Sequence, residues 1–250
     1  MLKKHIVLVL LVIIFSSMFI YYFSKVPELN NAKINLLDKI LQDPNEFVLR
    51  YVQIPLDYSY GSNSIPLVIS ALITNGNLVE LGMGSFSTPL LHKISSDYNR
   101  QLVSIDTNQD WINRFIIYNT TKNHRLYFYH DFNNFQQKFD TKFSKLGLVL
   151  VDHIYAGLRP IHAKYFANNT EIVIVHDAEK RSDTFYLYEK NNNIRAFFKY
   201  ACKFSLYQNF EKTSYISTLI LSNFIDLTIL ERIFKSVKSD FGHVACDLSF

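Results

Sequence analysis

The sequence is poor in cysteine, and it has no Lys/Arg block, no low-complexity tract and no repeat of domain scale. Two isolated cysteines, Cys202 and Cys246, exclude a disulfide-dense scaffold and leave no zinc-type ligand spacing. They form one bridge if the domain is lumenal and are buried thiols otherwise. The net charge is only +4 and no nucleic-acid-binding motif is present, so neither DNA nor RNA is an expected partner. What is there is apolar: 48% hydrophobic residues, with 21 Phe and 16 Tyr among 250 residues. That is too apolar for disorder and enough for one sizeable core.

The long apolar run, His5 to Ser24, reads HIVLVLLVIIFSSMFIYYFS. At about 1.5 Å per residue it spans roughly 30 Å, the hydrocarbon thickness of a bilayer. Lys3 and Lys4 precede it, and Tyr21 and Tyr22 stand where an interfacial aromatic belt lies. A cleaved signal peptide is the rival reading, but its core is shorter and ends in small residues, whereas this run ends in Phe19–Phe23. The sequence therefore predicts a membrane anchor over 1–24, a polar stalk over 25–33 and one folded domain over 34–250. The flanking lysines favour a cytosolic amino terminus and a type II, lumenal domain, with a cytosolic or secreted domain as the alternatives. Two glycosylation sequons, Asn119-Thr120-Thr121 and Asn168-Asn169-Thr170, agree with a lumenal location.

Within the domain, helical spacing over Ile34–Leu41 and a segment from Glu46 to about Gln53 come first. A loop over Pro55–Ser64 follows, then a helix opened by Pro66 and closed by Gly76. Short apolar runs next recur at Leu78–Leu81, Leu102–Ile105, Leu126–Tyr129, Leu148–Val151 and Ile172–Val175, with amphipathic segments between them. Such alternation predicts βαβ units and a parallel sheet covered on both faces. Phe197–Tyr207 and Ser214–Leu221 are expected to pair as an antiparallel hairpin, and Asp226–Lys238 to form an amphipathic helix.

Acidic residues sit at or just past the ends of the five runs, at Glu80, Asp106, Asp131, Asp152 and Asp177, at intervals of 26, 25, 21 and 25 positions. In a parallel sheet those carboxyl ends open onto one edge, where the ligand crevice lies. The first run breaks into Gly82-x-Gly84 and passes through Ser85, Ser87 and Thr88 into a helical segment. A strand, a Gly-rich turn and a helix start form a cradle for a nucleotide-like ligand.

A five-βα core followed by an antiparallel hairpin resembles the class I S-adenosylmethionine-dependent methyltransferases over roughly residues 64 to 224. Glu80-x-Gly82-x-Gly84 matches the first motif of that group. Asp106 matches the acid its members use on the ribose hydroxyls, and Asp131 and Phe132 fall where they hold the adenine. The resemblance implies an α/β, doubly wound, mostly parallel Rossmann-like sheet with S-adenosylmethionine as cofactor. Val151-Asp152-His153 and Val175-His176-Asp177 are similar to the fourth and fifth strand ends of the glucuronoxylan O-methyltransferase group, which are Golgi type II membrane proteins. That likeness implies O-methylation of a glycan or other hydroxyl, with Asp152, His153, His176 and Asp177 as candidate catalytic residues. Histidine suits base work near neutral pH, and Asp152 and Asp177 could hold a divalent metal through oxygen. No Asn follows Asp177, where catechol-type enzymes complete their metal site. Two alternatives remain: an NAD-dependent enzyme, and a catalytically inactive, membrane-tethered binding module. The NAD fingerprint lacks its third glycine, replaced by Ser87, and gives Glu80 no role.

Overall fold

The computed structural model describes residues 35–52, 56, 61–120, 122–132, 146–178, 194–207, 217–237 and 243–248. The expected anchor and stalk, and the polar stretch 179–193, lie outside them. Among the described residues no helix is long and apolar enough to cross a membrane. The chain divides into two units, 1–42 and 43–250. In the first, residues 35–42 are helical.

The second unit begins with α1 (Pro44–Tyr51), capped by the Asp43 carboxylate, which accepts from the Asn45 and Glu46 amides. Next comes α2 (Ser64–Ile73), which is apolar enough to be buried at every position. The sheet contains β1 (Asn77–Leu81), β2 (Leu102–Asp106), β3 (His124–Phe128), β4 (Leu146–Val151), β5 (Thr170–Val175), β6 (Tyr200–Tyr207), β7 (Ser217–Ser222) and β8 (His243–Asp247). Their spatial order is β3-β2-β1-β4-β5-β7-β6-β8. The first five are mutually parallel, β7 is antiparallel to β5 and β6, and β8 pairs antiparallel with β6 on the outer edge.

Four helices complete the parts that matter here: α3 (Ser87–Asp97), α4 (Gln109–Asn113), α5 (Arg159–Phe166) and α6 (Thr228–Lys235). Side chains alternate across the sheet as the pleat requires. Val79, Leu81, Val103, Ile105, Val149, Val151, Val173 and Val175 form one buried cluster with Ala163 and Phe166 of α5. Every residue of β4 and β5 is buried, which explains their unbroken apolar sequence. β3, on the sheet edge, starts two residues before the apolar run suggests, because only His124 of the strand is fully buried. Strand β8 has no counterpart among the expected elements. Cys202 on β6 is buried and disulfide-bonded, so the bridged alternative holds over the thiol.

Sheet order reverses between β1 and β4, whose ends are level: Leu81 is aligned with Ile105 on β2 and Val151 on β4, and Val151 with Val175 on β5. Such a switch point opens a crevice beyond the carboxyl ends of the strands.

Candidate active site

One wall of this crevice is the turn after β1. Gly82 has φ +91°, and a Cβ on it would lie 2.4 Å from the Asp152 carbonyl oxygen. Only glycine allows the ends of β1 and β4 to approach this closely. The Glu80 carboxylate, fully buried, points away from the crevice and ties the turn to α3 and β2. It accepts from Ser87 Oγ at 2.6 Å, from Thr88 Oγ1 at 3.0 Å and from Ser104 Oγ at 2.5 Å. Thr88 Oγ1 in turn accepts from the Gly84 amide. Burial pushes Glu80 up to about 7, against the opposing effect of the three hydroxyls. Asp106, at the end of β2, is oriented by three backbone amides: Met83 donates to Oδ2 at 2.9 Å, and Thr107 and Asn108 donate to Oδ1 at 2.7 and 2.9 Å. The Trp111 indole N–H donates to the Met83 carbonyl, holding its ring beside the turn.

The opposite wall comes from β4, β5 and the start of α5. Asp152 lies 3.3 Å from His176 Nδ1, and the other ring nitrogen of His176 meets Ser62 Oγ at 2.9 Å. Burial alone lowers the His176 pKa, but the Asp152 and Asp177 carboxylates outweigh it and raise it. Burial likewise raises the Asp152 pKa, and His176 and Arg159 bring it below the ordinary value. This Ser–His–Asp sequence of contacts braces the wall and does not present a nucleophile to the crevice. Ser62 is buried and stands outside the crevice lining. Asp177 adopts φ +56°, a left-handed conformation that Asp tolerates at some cost and that is common at functional sites.

His153 takes another role. The Phe132 carbonyl can only accept, so His162 Nε2, at 3.1 Å, carries the proton. In neutral His162, Nδ1 is then the acceptor, and His153 Nε2 donates to it at 2.8 Å. Burial lowers His153 to about 2 and His162 to about 4. Both rings are therefore neutral at physiological pH, and His153 is a weak base stacked on Phe132 with centroids 4.3 Å apart.

No protein-family profile matches the sequence, and no curated protein does. Solved structures do match. A probable spermidine synthase from Corynebacterium glutamicum aligns with TM-score 0.50 at 10% identity, over 69% of this chain and 67% of that one. The O-methyltransferase TomG from Streptomyces achromogenes, in complex with SAM, aligns with TM-score 0.48 at 14% identity, over 75% and 89%. Spermidine synthase from Thermotoga maritima aligns with TM-score 0.45 at 9% identity, over 71% of this chain, which spans 61% of that protein's length. The chain has the class I S-adenosylmethionine-dependent methyltransferase fold.

For a methyltransferase-fold crevice the residues fit such a cofactor. A cavity of about 1120 Å³ is lined by Gly82, Gly84, Ser85, Ser87 and Asp106 at the ends of β1 and β2 and by Phe132, Asp152, His153, His176 and Asp177. The glycine that admits no Cβ, the amide-fixed Asp106 and the apolar surfaces of Trp111, Phe128 and Phe132 suit a ribose and an adenine. Three of the residues expected from sequence are placed elsewhere. Glu80 and Thr88 sit behind the turn as its braces, and Asp131, half-buried, is not part of the lining. Conversely, Arg159 lines the cavity and His162 supports it. An arginine opening a helix just after a Val-Asp-His strand end was the available signal for the first.

A divalent metal fits less well. Asp152, His176 and Asp177 offer ligand atoms within 4.8 Å of one another, and oxygen donors suit a hard cation. The Arg159 guanidinium, however, already engages both carboxylates. A divalent charge about 4 Å from it is opposed by about 8 kcal/mol at an effective dielectric near 20.

Proposed function

We propose that this chain methylates a neutral hydroxyl, on a glycan or a smaller alcohol, using S-adenosylmethionine. One observation carries the reading: the Gly82 turn with Asp106 and the carboxylates of Asp152 and Asp177 share a single cavity. When bound, the cofactor supplies an electrophilic methyl group on a sulfonium, so the protein must align the acceptor and receive its proton. Asp106 accepts from the ribose hydroxyls, and the bare backbone at Gly82 and Gly84 admits the cofactor closely. Asp177 Oδ2 is engaged by Arg159 at 2.8 Å and Oδ1 lies 3.5 Å from His176 Nδ1; a further lone pair of Oδ1 accepts the acceptor's O–H and takes its proton as the oxygen receives the methyl from the sulfonium. Neutral His153 forms an uncharged wall beside it. Because Asp152 and Asp177 are both paired with Arg159, the site favours a neutral acceptor over a polyamine cation.

The same reading places the domain in an oxidising lumen, tethered through residues 5–24. Its supports are the disulfide at Cys202 and the apolar amino-terminal run. The test is transfer of label from methyl-tritiated S-adenosylmethionine by the detergent-solubilised full chain to a panel of oligosaccharides and simple alcohols. Label in a base-stable ether is expected. Cofactor binding with no label in any acceptor would favour the inactive binding module.

A further inference from the structure

We propose that Arg159 is the resident cation of the crevice, its guanidinium holding Asp152 and Asp177 in place of the divalent ion that these carboxylates and His176 could otherwise bind. The inference rests on side-chain geometry and stands whether or not methyl transfer is the reaction. Nη2 lies 3.2 Å from Asp152 Oδ1 and Nη1 lies 2.8 Å from Asp177 Oδ2, so one planar fork spans the ends of β4 and β5. Two more bonds fix its plane: Nε donates to the His153 carbonyl at 2.9 Å and Nη1 to the His176 carbonyl at 3.1 Å. The side chain is 6% exposed, and Pro160 follows it at the start of α5, so its base is held by a rigid helix entry.

The two carboxylates that Arg159 engages and the ring of His176 beside them are a competent ligand set on donor type and spacing alone. What separates them from a metal site is that their counter-charge is covalently attached. A guanidinium does not lose its proton in proteins, and its fork matches carboxylates bidentately. The charge is therefore permanent, and a second cation finds the facing oxygens of Asp152 and Asp177 already paired.

The experiment is a manganese titration of the detergent-solubilised full chain, followed through the electron paramagnetic resonance signal of free Mn²⁺. Wild type is expected to remove no more Mn²⁺ than the Asp152→Asn/Asp177→Asn variant does. Arg159→Ala, with folding verified by its melting curve, is expected to bind one Mn²⁺ per chain roughly tenfold or more tighter than wild type. Adding Asp177→Asn to it should abolish that gain. Arg159→Met is the second variant, larger and better able to fill the space left. A stoichiometric Mn²⁺ site in wild type that Asp177→Asn removes would overturn the proposal. So would a folded Arg159→Ala or Arg159→Met that binds no better than wild type. If neither variant folds, the wild-type titration decides: no site supports the proposal, and a site dependent on Asp177 ends it.

Discussion

Replacing Glu80 by Gln tests whether the turn after β1 is built on a buried acid. Glu80 is fully buried, and its pKa stands at about 7 in the fold against an ordinary value of 4.5. Folding therefore favours the protonated form. The associated stability is fully present below about pH 4.5 and is lost as pH rises through about 7. A difference near 2.5 units corresponds to about 3 kcal/mol. Glu80→Gln lacks that titration. Its baseline stability falls because an amide oxygen cannot serve Ser87, Thr88 and Ser104 together, but the pH dependence is the readout. Between pH 4.5 and 8 the stability of the variant relative to wild type should rise by up to about 3 kcal/mol. His124, which lies 2.9 Å from Ser104 Oγ, is lowered by burial from 6.5 to about 3 and so makes its own contribution as the unfolded chain titrates near 6.5, but that contribution is common to both proteins and cancels in the difference. Urea unfolding of both proteins, followed by Trp111 fluorescence at several pH values, measures the difference. Parallel curves across the range would refute the buried-acid account.

Two further outcomes follow from the placement of particular side chains. Asp177→Asn should abolish methyl transfer, leaving turnover at least about a hundredfold down, while calorimetry shows cofactor binding unchanged; equal loss of both would remove Asp177 from the chemistry. In a secreting cell, N-glycosidase should shift the mobility of the full chain through Asn168, which is exposed, whereas Asn119 Oδ1 is engaged by the Leu126 amide. Asn168→Gln should erase that shift, and a chain never glycosylated in such a cell would argue for a cytosolic domain.

The elements with local signals were readable in the sequence. β1, β2, β4 and β5 announce themselves as apolar runs because both faces of each are covered. The hairpin β6–β7 and the amphipathic α6 fall within the expected spans to within a few residues. β3 was displaced because an edge strand alternates buried and exposed positions, and β8 was missed because a five-residue edge strand is defined by its partner β6. The periodic acids marked the correct edge of the sheet, yet periodicity cannot say which way a side chain turns. Asp106, Asp152 and Asp177 face the crevice, whereas Glu80 turns inward because three hydroxyls from α3 and β2 meet it there. Arg159 and the His153–His162 pair act through contacts between strand ends and α5, which no local spacing encodes.

The central claim is that this crevice holds S-adenosylmethionine with Asp106 on its ribose. Isothermal titration of the detergent-solubilised full chain with S-adenosylmethionine, its demethylated product and NAD tests it directly. Asp106→Ala removes a charged acceptor and frees three oriented amides. A charge-assisted bond contributes about 1.5–3 kcal/mol, so affinity should fall roughly ten- to a hundredfold. The account predicts one cofactor site in wild type, that loss in the variant, and no heat with NAD. Absence of heat with S-adenosylmethionine and its product, or undiminished binding by a folded Asp106→Ala, would contradict it.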